Sequence, residues 1–256
     1  MPYFVKDHTL YYEIFQAHIT PPAASKSILL LHGFAGTATS DFARLIPQLQ
    51  ERQNILAPDL YGYGKSSQRT AYSTNYYRDD VADIKELLDY LKLQEVQIVA
   101  FSDGGIVGLL LAALYPKRVR SLAVLGAQAR LELNDVTAIR HWLLERPLAE
   151  DWQKELAGLH GEPYWRSLPK RYVQAQEGLL ATGGELIKKQ ELATIQCPTL
   201  IMHGKRDRVV PVAYAYELQE QIVNAQLELF DAGHAAHLRK VEEYNQAIIE
   251  FLETNG

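Results

Sequence analysis

The chain has 256 residues, 47% of them apolar, and a formal net charge of -5 with acids and bases interspersed. That length and apolar content suit one large domain with a sizeable core, and the lack of a basic face argues against nucleic acid as a partner. The lone cysteine, Cys197, rules out an intrachain disulfide. Residues 1–15 show no signal-peptide pattern, and apolar stretches such as 106–115 fall far short of the roughly 20 residues that cross a bilayer, so a cytoplasmic, non-membrane protein is expected.

Short apolar runs predict strands over 9–15, 27–31, 54–57, 96–101, 121–125, 199–203 and 226–230. Most are continuously apolar, as strands buried on both faces are. Residues 2–5 lie close enough to 9–15 to pair as a hairpin, so the sheet is expected to begin antiparallel. Between the strands, 79–91 places Val81, Ile84, Leu87, Leu88 and Leu91 on one helical face, and 241–252 does the same with Tyr244, Ala247, Ile248 and Leu252. Alternating strand and helix predicts a mostly parallel sheet with helices on both faces.

Residues 129–189 break this rhythm. They hold all three tryptophans, Trp142, Trp152 and Trp165, and show helical patterns without a strand. A helical cap over the open end of the sheet is expected there, between core segments 1–128 and 190–256. The tryptophans suit either a substrate pocket or internal packing, and Gly183-Gly184 suits a turn or hinge.

The most informative run is Val96-Gln97-Ile98-Val99-Ala100-Phe101-Ser102-Asp103-Gly104-Gly105-Ile106. A buried strand enters small residues around one serine, and a helix follows, which is the setting of a nucleophile elbow. Ala100 stands where the first glycine of Gly-x-Ser-x-Gly is usual. The competing reading is a serine N-cap. A serine nucleophile needs a base and a carboxylate to orient the base, and on such a sheet the chain order is serine, acid, histidine. Asp207 follows the strand at 199–203, and His234 follows the strand at 226–230, so Ser102, Asp207 and His234 would all sit at carboxyl ends of strands.

The oxyanion of an acyl-transfer intermediate needs two donors. The backbone N–H of Asp103 is one, and that of Phe34, after the strand at 27–31, is the other. His32 reads as structural, and the Gly233-His234 step favours His234 over His237 as the base. Cys197 reads as a structural thiol. His8, His18, His141 and His160 lack metal-ligand spacing, and no metal or organic cofactor is expected. Gly62-Tyr63-Gly64-Lys65-Ser66 lacks the spaced first glycine of a phosphate loop.

Together these segments resemble the α/β-hydrolase superfamily. The matching pieces are His32-Gly33-Phe34, the run from Asp59 to Ser66, the Ser102 elbow, His203-Gly204 through Asp207 to Val210-Pro211, and Gly233-His234. Tyr61 departs from the arginine common at its place, which affects a turn contact near Asp59. Ser102-Asp103-Gly104-Gly105-Ile106, Thr39-Ser40-Asp41-Phe42, Gly126-Ala127-Gln128-Ala129, Gln196-Cys197-Pro198 and the run from His234 to Arg239 are similar to the valacyclovir hydrolase (biphenyl hydrolase-like) family. That resemblance implies cleavage of α-amino acid esters under a helical cap, with Asp103 as partner of the substrate ammonium. Charge supports the role, since a carboxylate beside the reacting carbonyl opposes a developing oxyanion unless a cation is bound. The alternative for Asp103 is favourable placement at a helix N-terminus.

The expected substrate is a small ester. A generalist carboxylesterase, a meta-cleavage-type carbon–carbon bond hydrolase and a ligand receptor on a hydrolase scaffold remain alternatives. The oligomeric state stays open, and a monomer is compatible with the sequence.

Overall fold

The structure is a computed structural model and describes residues 3–19 and 27–255. Among them, eight strands form one sheet: β1 Tyr3–Val5, β2 Thr9–Phe15, β3 Ser27–Leu31, β4 Ile55–Pro58, β5 Val96–Phe101, β6 Val119–Leu125, β7 Thr199–Gly204 and β8 Ala225–Phe230. Their order is β1-β2-β4-β3-β5-β6-β7-β8. The pairs β1–β2 and β2–β4 are antiparallel, and the remaining pairs are parallel. The expected antiparallel start is present, although Pro2, at the head of the expected first strand, lies outside the described residues.

The helices are α1 Ala38–Asp41, α2 Ile46–Gln50, α3 Tyr76–Tyr90, α4 Asp103–Leu114, α5 Leu133–Arg140, α6 Glu150–His160, α7 Leu168–Ala181, α8 Lys189–Leu192, α9 Ala213–Gln221, α10 Ala236–Arg239 and α11 Val241–Thr254. The two-residue period of a strand splits the core into two layers. Leu29, Leu31, Ile98, Ala100, Leu122 and Val124 face a layer shared with α3, α4 and α9. Ile28, Leu30, Val99, Phe101, Ala123 and Leu125 face one shared with α2 and α11. This explains the unbroken apolar runs, because both faces of these central strands are covered.

α3 begins at Tyr76, earlier than the apolar periodicity predicts. Tyr76 and Tyr77 are both buried, so packing extends the helix by a turn that the aliphatic pattern does not mark. Residues 129–189 contain α5, α6 and α7. The chain leaves and returns at one place, where Leu131 N–H donates to Gly184 O at 2.7 Å and Ile187 N–H donates to Ala129 O at 2.9 Å. Gly183-Gly184 forms a turn closing α7. A Cβ at Gly184 would lie 2.3 Å from Leu131 O, so only glycine admits that crossing. Of the tryptophans, Trp165 is buried in the core, and Trp142 stacks on Trp152 with ring centroids 5.2 Å apart.

Candidate active site

β5 delivers Ser102 at the carboxyl end of the central sheet, and α4 starts at the next residue. Ser102 has φ 52° and ψ -119°, a conformation that L-residues rarely adopt, so the turn is held by its surroundings. A Cβ at Gly104 would lie 2.3 Å from Leu31 O, and one at Gly105 would lie 2.7 Å from the Ala127 Cβ. The two glycines therefore let α4 descend against β3 and the loop after β6. Ala100 is buried next to Gly108, where even an added Cβ would meet it at an ordinary contact distance of 3.5 Å, so its methyl does not crowd α4. Ser102 makes no side-chain cap bond to α4, so the N-cap reading does not account for its hydroxyl.

That hydroxyl lies 2.9 Å from His234 Nε2, and His234 Nδ1 lies 2.7 Å from Asp207 Oδ2. Asp207 Oδ1 accepts the Val209 and Val210 backbone N–H groups at 2.8 and 2.9 Å. Facing two acceptors, His203 Nε2 acts as a donor, to Val210 O at 2.9 Å and to Asp207 Oδ2 at 3.3 Å. Burial alone would push the Asp207 carboxyl up, but hydrogen bonds from His203 and His234 win and hold it well below the ordinary carboxylate range. A permanently ionised Asp207 fixes Nδ1 of His234 as the protonated nitrogen. Nε2 is then free to accept the Ser102 proton.

Asp103 is buried, and its Oδ1 accepts hydroxyl bonds from Tyr172 at 2.8 Å and Tyr77 at 2.9 Å. Its Oδ2 has no protein partner among the described residues and keeps some solvent contact. Burial raises the Asp103 pKa to about 6, against the two tyrosine bonds, which lower it. Among the described residues, neither the Phe34 nor the Asp103 backbone N–H donates to any acceptor. The Asp103 N–H directly follows Ser102, and Gly33, the neighbour of Phe34, comes so near that a Cβ on it would lie 3.1 Å from the Ser102 Cβ; an oxyanion requires two such unused donors.

A family model described as the alpha/beta hydrolase fold matches residues 26–241. The chain belongs to the alpha/beta hydrolase fold family. The hydrolase is similar to the mouse serine hydrolase BPHL, with 30% identity over 231 residues, covering 89% of this chain and 79% of that protein. It is also similar to 2-hydroxy-6-oxo-2,4-heptadienoate hydrolase of Pseudomonas putida, at 27% identity with 90% of each chain covered. Among solved structures, 2-hydroxy-6-oxo-6-phenylhexa-2,4-dienoate hydrolase from Rhodococcus superposes with a TM-score of 0.82 at 21% identity, over 98% of both chains.

The other histidines of this hydrolase have separate work. His32 donates through Nδ1 to Gly33 O at 2.8 Å and accepts the Leu60 N–H through Nε2 at 2.9 Å, which ties the loop after β3 to the loop after β4. Burial lowers its pKa to about 4, consistent with a neutral structural ring. His237 packs against Phe101 and bonds neither Ser102 nor Asp207. Burial, and then the neighbouring His234, lower its pKa to about 4. Cys197 lies away from these groups, and burial pushes its thiol up to about 11, far from a reactive thiolate. Tyr61, which departs from the family pattern, stacks on His8 and carries the Arg69 guanidinium over its ring. Among the described residues, no group of three His, Cys, Asp or Glu side chains is arranged to hold a metal, and no helix is long and apolar enough to cross a membrane.

Four residues of the site have no role assigned from the sequence, although Asp41 and Gly126 stand in two of the runs that carry the family resemblance. Asp41 accepts the Gly33 N–H at 2.9 Å and so braces the loop that presents Phe34. Gly126, with φ 66°, passes so close to His234 that a Cβ would lie 3.0 Å from its Cε1. Tyr77 and Tyr172 reach Asp103 from α3 and α7, 26 and 69 residues away in sequence.

Proposed function

We propose that this hydrolase is a serine esterase that cleaves small carboxylic esters and favours those with an α-amino group. The observation that carries the reading is the unbroken hydrogen-bonded line from Ser102 Oγ through His234 to Asp207. Ser102 Oγ attacks the ester carbonyl carbon while His234 Nε2 takes its proton. The Phe34 and Asp103 N–H groups hold the oxyanion, and Asp207 stabilises the imidazolium. The departing alkoxide takes the proton back from His234 and leaves as an alcohol. Water then attacks the acyl group, giving its proton to His234, and Ser102 Oγ is released and reprotonated. No metal or organic cofactor enters these steps.

Residues 129–189 act as a cap in this reading, since Tyr172 reaches the elbow from that segment. The open Oδ2 of Asp103 receives the substrate ammonium, which turns a charge hostile to the oxyanion into a recognition element. Similarity to BPHL supports the assignment. The likeness to the heptadienoate hydrolase supports a second reading, carbon–carbon bond cleavage of a dienone by the same three residues. A panel of paired esters differing only by the α-amino group, with a dienone added, separates these readings. Ser102→Ala should abolish turnover of every substrate. Asp103→Asn should lower kcat/KM for the amino ester at least about tenfold more than for its plain partner, the scale of a lost hydrogen bond to a charged group. Equal losses on both would remove the ammonium role. Multiple turnover on the dienone alone would favour the second reading, and a single slow acylation without turnover would favour a receptor.

A further inference from the structure

Tyr172 touches both Phe34 and Asp103, the two residues proposed above as oxyanion donors. Its ring stacks on Phe34 with centroids 3.9 Å apart and planes 26° from parallel, while its hydroxyl bonds Asp103 Oδ1. Tyr77 supplies the second hydroxyl to the same oxygen. One turn further along α7, the Gln176 amide donates to the Tyr76 and Tyr77 hydroxyls at 2.8 and 3.3 Å. Because that amide N–H can only donate, it turns the Tyr77 hydroxyl hydrogen toward Asp103. Tyr77, Tyr172 and Gln176 are all buried, so none of these bonds exchanges freely with water.

We propose that Tyr172 is a positioning residue with two separable functions: its ring fixes Phe34 for every substrate, and its hydroxyl, with that of Tyr77, fixes Asp103 as a one-oxygen receptor for a primary ammonium. The inference rests on Asp103 receiving that ammonium. With Oδ1 saturated by two tyrosine donors, Oδ2 alone is left for the cation. The carboxylate plane is also locked, so an ammonium one bond from the reacting carbonyl is accepted in a single orientation. Selectivity for α-amino esters is then set by a helix of the inserted segment and not by the elbow alone.

The two functions come apart by mutation. Tyr172→Phe keeps the ring and removes the hydroxyl, and Tyr77→Phe removes the second donor without touching Phe34. For each, the loss in kcat/KM on an α-amino ester should exceed the loss on the matched plain ester by about tenfold, most of it in KM. Tyr172→Ala removes the ring as well, and should in addition lower kcat on the plain ester relative to Tyr172→Phe. Rescue of plain-ester kcat by Phe at 172 is a readout that general loosening of the fold would not give. Asp103→Asn, run beside them, separates the two levels. If it lowers the amino-ester preference and the two phenylalanine variants do not, the tyrosine inference is overturned and the Asp103 reading stands. If Asp103→Asn itself leaves the preference intact, both are overturned together. Equal losses on both esters in Tyr172→Phe also overturn the separation of ring and hydroxyl.

Discussion

Two buried carboxylates serve the surroundings of Ser102, and they are solvated by the protein in opposite ways. Asp207 receives two backbone N–H groups and two imidazoles, spread over both oxygens, and is held as a carboxylate well below the ordinary range. Among the described residues, Asp103 receives two hydroxyls, both on one oxygen, and burial leaves it at about 6. Environments that drive like groups apart assign them different work. Asp207 is a fixed charge that never needs a ligand. Asp103 is under-solvated, and a cation on Oδ2 would complete its shell.

The largest effect should follow from neutralising the fixed charge. Asp207→Asn keeps an oxygen for the Val209 and Val210 N–H groups, so the loop should stay folded. An amide does not compensate the imidazolium and admits the wrong imidazole tautomer. A fall in kcat on the order of 10⁴ is expected on plain and amino esters alike, measured by steady-state kinetics with thermal denaturation as the folding control. A loss below tenfold would break the assignment of Asp207 as the orienting acid. A loss restricted to amino esters would mean that the two carboxylates had been given each other's roles.

The same contrast explains what could be read from the sequence. Ser102, Asp207 and His234 each follow a strand, and each stands in a short run whose small residues or turn chemistry mark it. The fold was equally legible, because strands covered on both faces read as unbroken apolar runs. The first turn of α3 was not, since Tyr76 and Tyr77 are buried by contacts that the aliphatic period does not encode. The tyrosine partners of Asp103 were hidden for a related reason. They depend on how α3 and α7 pack, and no local pattern says which tyrosine meets which carboxylate. His203 showed its place at a strand end but not its bond to Asp207.

A smaller effect should come from crowding the imidazole without removing a charge. Ala at Gly126 would place its Cβ 3.0 Å from His234 Cε1 and 3.2 Å from Nδ1. The ring must give by a few tenths of an ångström, well short of the roughly 1 Å misplacement that costs on the order of 100-fold in rate, so a loss of only a few-fold in kcat is expected. The positive φ adds strain of about 1 kcal/mol, so the melting temperature should fall only modestly. Loss of kcat with the amino-ester preference preserved would place the damage on the Asp207 side. A changed preference would show that the two sides are mechanically coupled.

The smallest effect is a pH dependence that isolates Asp103. Effects common to amino and plain esters cancel in the ratio of their kcat/KM values. What remains is the charge on Asp103 and on the substrate amine. Asp103 has its pKa raised to about 6 by burial, so it is increasingly protonated as pH falls through that value, and the amino-ester advantage should fade there. An α-amino group ordinarily titrates at about 8, so the advantage should fade again above that pH. The Tyr77 and Tyr172 bonds and the charges of His234 and Arg69 all pull the Asp103 value down. Removing one tyrosine hydroxyl should therefore move the acid edge to higher pH, while the alkaline edge, which belongs to the substrate, stays where it is. A ratio flat from pH 5 to 9 would mean that Asp103 is not the group that senses the amine. An acid edge that did not move in Tyr172→Phe would mean that the hydroxyl shapes the site without tuning its charge.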